Sequence, residues 1–226
     1  MSARVLLIET SCAPGLVALA LGHELLGVRR LDEARRHARD LVPATRDLLD
    51  VQGWKARELQ AVFVGIGPGS YTGLRVGIMA AKALAYASGC ALLGIETFAT
   101  IALQAPERAQ RVDVIADAQQ GKIYVQSFAR VASALVPLGP LAIRRFDEWL
   151  SGLDPAVWVS GPATGEYEHR LQGRPLVEIA ARQPSASCLL TLGLDRLARG
   201  ELDDHWKLEP LYLRRSNAEE KWRESR

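Results

Sequence analysis

An α/β fold whose first half is a ribonuclease-H-like, actin-like (ASKHA) lobe is predicted by three features of the 226-residue chain. Three short apolar runs separated by turn residues open it. A segment of helical period follows, and two continuous apolar runs then alternate with further helical segments. The order β-β-β-α-β-α-β-α is an antiparallel meander followed by right-handed crossovers, and few architectures use it.

Arg4 to Ile8 is a β-branched and leucine run, and Leu16 to Leu21 is a second, ended by Gly22-His23-Glu24. Leu25 to Leu31 completes the meander. Leu41, Val42, Thr45, Leu48 and Leu49 then recur at helical spacing, with Arg46, Asp47 and Asp50 on the other side. Pro43 fits such a helix in its first turn, where the lost N–H has no partner anyway. Ala61 to Ile66 is apolar throughout and reads as a buried parallel strand. The turn Gly67-Pro68-Gly69 leads into a helix from Ser70 to Ser88, which Gly89 stops. Ala91 to Ile95 is another buried strand, and Thr97 is placed to cap a short helix.

The second half predicts two strands, Val112 to Ala116 and Lys122 to Phe128, around a turn at Gln119-Gln120-Gly121. Val157 to Ser160 is a further strand. Asp147 begins a short amphipathic segment, and Ser185 to Arg199 a longer helix. Proline and charge interrupt the apolar pattern in Gln104 to Arg111. The expected division is therefore a first lobe at 1–105 and a second lobe with a charged C-terminal tail at 106–226.

Composition bounds the function. Hydrophobic residues make up 48% and charged residues 24%, the profile of a globular protein. A net charge of +2 is too small for a strong electrostatic footprint on nucleic acid. The first apolar run, Val5 to Ile8, is shorter than a signal-peptide core, and the longest uncharged stretch, Ala83 to Ile95, is too short to span a bilayer. Cys12, Cys90 and Cys188 lie far apart and form no Cys-x-x-Cys. A reduced, cytoplasmic protein with no membrane contact is the expectation.

The densest signal is Gly67-Pro68-Gly69-Ser70-Tyr71-Thr72-Gly73-Leu74-Arg75-Val76-Gly77. Between strand and helix it reads either as a tight turn with a Ser cap or as an anion site at a helix N-terminus. It lacks the Gly-Lys-Ser/Thr of a P-loop and the glycine spacing of a dinucleotide fingerprint. Along the following helix Gly73, Gly77, Ala81 and Ala85 recur every four residues, making a ridge almost without side chains. Helical glycine costs about 1 kcal/mol against alanine, so two of them imply close backbone approach. That approach is either inside the lobe or to a helix of another subunit. The histidines His23, His37, His169 and His205 are dispersed and make no metal-ligand spacing. Cys12 beside Glu9 has no base tied to it. No catalytic residue and no cofactor is expected.

The glycine-rich run resembles the hallmark of the TsaB (YeaZ) family. Leu7-Ile8-Glu9-Thr10-Ser11 resembles its first-strand signature, with Glu9 where the family usually has aspartate. His37, Leu41 and Pro43 resemble its His…Leu-x-Pro at the first helix. Asp117-Ala118-Gln119-Gln120-Gly121-Lys122-Ile123-Tyr124 resembles a further segment, with Gln119 in place of the usual arginine, and Pro210-Leu211-Tyr212-Leu213-Arg214 the closing one. The resemblance implies that the second lobe is a reduced one. It implies a non-catalytic scaffold or activator subunit of the bacterial machinery that makes N6-threonylcarbamoyladenosine beside the tRNA anticodon. It implies pairing with the catalytic paralogue TsaD or with a second copy as a homodimer. A TsaE-like ATPase acts in the same machinery, and tRNA is reached through the complex. Partner-interface residues are expected at Gly73, Gly77, Ala81, Ala85, His37 and Leu41. A vestigial anion or nucleotide contact is expected at Glu9, Thr10, Ser11, Gly69 and Ser70. The alternatives are an actin-like ATPase or kinase, which needs an acidic base and two phosphate loops, and a glycoprotease-like peptidase, which needs a nucleophile–base pair or a metal set.

Overall fold

Short β-branched runs separated by turn residues build the expected meander. In the computed structural model of the chain, which describes residues 2–31, 37–132 and 134–213, β1 (Arg4–Glu9), β2 (Leu16–Leu21) and β3 (Glu24–Arg30) pair antiparallel. Gly22 turns between β2 and β3 with φ of 58°, a conformation that favours glycine. β4 (Ala61–Gly65) joins β1 in parallel and β5 (Ala91–Ile95) joins β4, giving the actin-like order β3-β2-β1-β4-β5. Central β1 and β4 are buried on both faces, which is why they read as continuous apolar runs.

α1 (His37–Val51) and α2 (Tyr71–Ser88) cover one face of this sheet, closing Leu41, Leu48 and Ile78 over Leu6, Ile8, Val62 and Val64. The α2 boundaries follow from chemistry read in the sequence. Ser70 caps it by accepting from the Gly73 N–H, and Gly89 ends it at φ of 69°. Pro43 departs from expectation: it is the seventh residue of α1, not in the first turn. Its missing N–H leaves the carbonyl of Arg39 without a helical partner, and Arg39 is exposed to water.

The second sheet runs β10-β6-β7-β8, from β6 (Arg111–Asp117), β7 (Lys122–Val131), β8 (Ala134–Pro137) and β10 (Trp158–Ser160). β9 (Ala142–Arg145) pairs with the start of β7. β8 and β9 are strands that the sequence pattern did not predict. α3 (Thr97–Ala102) covers one face through Phe98 and Ile101, and α4 (Phe146–Ser151) the other through Phe146 and Trp149. The Trp149 indole N–H donates to Asp113 Oδ2 at 2.8 Å, which keeps a buried carboxylate partnered.

The end of the chain returns to the first sheet. α5 (Ala186–Ala198) does not join the second sheet. It packs Ala186, Leu189 and Leu190 on Phe63 and Leu93, on the face of the first sheet opposite α1 and α2. Its Gly193 lies so close to the Phe63 ring that a Cβ would clash. The chain then crosses β5 as a strap. The Asp203 N–H donates to the Leu92 carbonyl and the Leu211 N–H to that of Ile66, both at 2.9 Å. Leu208 on the strap enters the core beneath α2.

Candidate functional site

The carboxyl ends of β1 and β4 meet the glycine-rich turn, and there the polar groups of the motif are largely spent internally. Glu9 is 1% exposed. Its Oε1 accepts from the Ser11 N–H at 2.7 Å and its Oε2 from the Thr97 hydroxyl at 3.1 Å. Gly65 is required beside it, because a Cβ there would run into the Glu9 carboxyl. Burial raises the Glu9 carboxyl above the ordinary range, and the hydrogen bonds from Ser11 and Thr97 counter only part of that rise. Burial also pushes the neighbouring Cys12 thiol up to about 12, with the Glu9 charge adding to it. A thiol held protonated is a poor nucleophile.

Thr97 corrects one expectation. It is the first residue of α3 rather than its cap, and its hydroxyl serves the Glu9 network, also accepting from the Gly67 N–H at 3.2 Å.

Three further backbone donors of the loop are similarly engaged. The Ser70 N–H donates to the Ser11 carbonyl at 2.7 Å, the Gly73 N–H to Ser70 Oγ at 3.2 Å, and the Leu74 N–H to the Ser70 carbonyl at 2.8 Å. The structure does bring Glu9, Thr10, Ser11, Gly69 and Ser70 together, but as packing. Thr10 and Ser11 are buried, and Gly69 is pressed against the Ser11 backbone. The five residues expected to contact an anion or nucleotide are thus packed against one another. A phosphate bound to the Ser70, Gly73 or Leu74 N–H would have to displace hydrogen bonds that the fold already makes.

The small-residue ridge, expected as a partner interface, packs inside the lobe. Gly73 and Gly77 face β1, where a Cβ on the first would meet the Thr10 carbonyl and one on the second the Thr10 hydroxyl. That hydroxyl donates to the Gly73 carbonyl at 2.8 Å. Ala81 and Ala85 are fully buried, and Leu41 is 2% exposed. These residues let α2 lie flat on the sheet. His37 begins α1, and its side chain lies outside the described residues, as do Arg214 and the rest of the tail.

The opposite side of α2 is the one left open. Met79 is 61% exposed and Tyr86 66%, and Val42 on neighbouring α1 is 66% exposed. The strap adds aromatic residues to this face. Trp206, 74% exposed, sits edge-on to Tyr86 with ring centroids 5.5 Å apart. Tyr212 lies against Tyr71 with ring centroids 4.9 Å apart and the planes tilted by 31°, and the Arg75 guanidinium sits 4.1 Å above the Tyr71 ring and donates to the Tyr212 hydroxyl at 3.1 Å. Lys82 fixes the strap by donating to the Leu208 carbonyl at 3.2 Å. The stripe Arg75, Met79, Lys82 and Tyr86 could be read from helical spacing. Trp206 could not, because its neighbours are 120 residues away along the chain.

Among the described residues, no group of three or more His, Cys, Asp or Glu side chains could hold a metal ion. No described helix is long and apolar enough to cross a membrane.

Comparison with known proteins places this geometry. The family model described as TsaD, tRNA N6-adenosine threonylcarbamoyltransferase, matches residues 23–222. The chain is 28% identical over 196 residues to the tRNA threonylcarbamoyladenosine biosynthesis protein TsaB of Escherichia coli, covering 81% of this chain and 83% of that one. An uncharacterized protein of Mycobacterium tuberculosis is 31% identical over 220 residues, covering 95% and 93%. Among solved structures, YeaZ from Pseudomonas aeruginosa superposes with a TM-score of 0.81 at 29% identity, covering 93% of this chain and all of that one.

Proposed function

The chain belongs to the TsaB (YeaZ) branch of the TsaD family, and from that premise we propose that it is the non-catalytic docking subunit of a tRNA threonylcarbamoyladenosine complex. Its relatives are named for that biosynthesis, and the chain takes part in it. In this reading a TsaD-like paralogue carries the group transfer and a TsaE-like ATPase drives turnover. In the paralogue's absence a second copy of this chain takes its place.

The observation that carries the reading is the outer face of α2. Met79, Tyr86 and Trp206 leave a large apolar and aromatic surface in water, and aromatic side chains dominate binding energy at interfaces. The Glu9 network supports the non-catalytic part. A buried, hydrogen-bonded carboxyl with a raised pKa, beside a thiol held protonated, is arranged to stay in place rather than to exchange protons with a substrate. An activator of this kind works by binding the partner's active conformation more tightly, about 1.4 kcal/mol for each tenfold shift.

The test is reconstitution with a TsaD-like enzyme, the ATPase and the adenylate-forming enzyme, omitting this chain and then adding it back. Modification should require it, and Trp206→Ala should weaken the complex roughly 30-fold, the equivalent of about 2 kcal/mol at a central aromatic contact. Full multi-turnover modification without the chain would overturn the docking reading.

A further inference from the structure

The second sheet carries a basic recess of about 380 Å³ that the docking reading does not use, lined by Lys122, Ile143, Arg144, Arg145 and Glu148. β7 and β9 are in antiparallel register with Lys122 directly opposite Arg145. Like charges facing each other on a ladder destabilise the pair, and Arg144 adds a third cation beside them. Glu148 is the sole acid of the lining. It lies 3.9 Å from Arg145 with both side chains at least 60% exposed, so it neutralises little. Among the described residues, neither Lys122 nor Arg144 has an ion-pair partner. Arg170 is not part of the lining and pairs with Asp147 at 2.6 Å.

A strained hairpin leads straight into Lys122. Gln119, Gln120 and Gly121 have φ of 64°, 57° and 69°. Two consecutive non-glycine residues in the left-handed region need support from their surroundings. Asp117 Oδ1 supplies it by accepting from the Gln119 N–H at 2.7 Å, and the Phe146 N–H ties the Gly121 carbonyl to α4 at 3.0 Å. The hairpin is thereby fixed, with Gln119 and Gln120 exposed beside three clustered cations.

We infer that this recess takes a phosphodiester of the RNA, with the Gln119–Gln120 hairpin against the adjoining sugar. The clustered cations favour an anion, and a phosphodiester offers one negative charge spread over two oxygen acceptors. Arg, Lys and Gln side chains are among the groups that contact phosphate and sugar, and a guanidinium can grip a phosphate with two hydrogen bonds. The inference rests on the docking reading and deepens it: the chain touches tRNA itself rather than reaching it only through its partner. The recess shares no lining residue with the α2 face, so the two can be tested apart.

The experiment measures binding of an unmodified tRNA transcript to the assembled complex across a salt series. Variants are Arg144→Ala/Arg145→Ala and the charge-conserving Arg144→Lys/Arg145→Lys, both on the exposed end of a short edge strand. The alanine pair should weaken binding and make the plot of log affinity against log salt shallower by about one for each lost contact, while the lysine pair keeps the slope. Inorganic phosphate at millimolar concentration should not displace the transcript. An unchanged slope in the alanine pair overturns the inference, and so does a recess that binds inorganic phosphate while tRNA affinity is unaffected. Either result leaves the docking reading standing if modification still requires the chain; a chain dispensable for modification defeats that reading instead.

Discussion

Replacing Gly77 with alanine tests where the small-residue ridge points. On an exposed or loosely packed helix the change should stabilise, since alanine is favoured over glycine by about 1 kcal/mol. Here the added Cβ would meet Thr10 Oγ1 and lie 3.4 Å from the Ile8 side chain, with β1 behind both. Overpacking of a closed interior costs about 1–3 kcal/mol. Displacing the Thr10 hydroxyl also strains its bond to the Gly73 carbonyl, worth about 1 kcal/mol. The net expectation is a loss of about 1–3 kcal/mol, or roughly 2–4 °C in Tm for each kcal/mol in a chain of this size. Urea and thermal unfolding by circular dichroism measure it directly. The decisive arm repeats the substitution in a Thr10→Ala background, where the obstructing oxygen is gone. There Gly77→Ala should become neutral or stabilising, a coupling that independent sites do not show. A Gly77→Ala variant that is more stable than the parent in both backgrounds would refute the packing described for this ridge.

Two further substitutions probe the carboxyl network and the strap. The raised Glu9 pKa means that the folded state holds a proton the unfolded chain releases, so stability falls as pH rises from about 4.5, the ordinary glutamate value, through the folded-state value. Glu9→Gln should flatten that decline, and unfolding free energies measured between pH 4 and pH 8 that track the parent would contradict it. Asp203→Ala removes the acceptor of the Gly94 N–H at 2.7 Å and the partner of Arg196 at 3.2 Å. A loss of about 1.5–3 kcal/mol is expected for a charge-assisted bond, together with faster limited proteolysis at Lys207. Parent-like cleavage kinetics would show that the strap is held by other contacts.

The first lobe was legible because its strands differ in kind. β1 and β4 are apolar throughout, β3 is not, and Ser70 and Gly89 mark the ends of α2 with side-chain and backbone chemistry that is local. The ridge was legible only as a demand for close approach. Spacing reports that Gly73 and Gly77 share a face, but not whether Thr10 or another molecule lies opposite. Thr97 was misplaced for a related reason: a threonine after a strand looks like a cap, and its hydroxyl instead serves Glu9, 88 residues away. β9 escaped notice because four residues ending in Arg144-Arg145 carry little alternation. The facing of Lys122 and Arg145 depends on a register that no local pattern encodes. α5 was seen as a helix, but periodicity cannot say which sheet a helix covers.

The return of α5 to the first sheet makes the order of synthesis matter. Phe63 and Leu93 are made early, yet the helix that shields them ends at Ala198. The ribosome must add 198 − 95 = 103 residues after β5 ends at Ile95, which takes roughly 5–20 s at about 5–20 residues per second. Through that interval the nascent chain carries an uncovered apolar sheet face, the kind of surface that chaperones hold and that aggregates when they do not. A fragment stopped after the first half would keep that face permanently bare. The emerging chain, rather than the finished molecule, is where this architecture is most vulnerable.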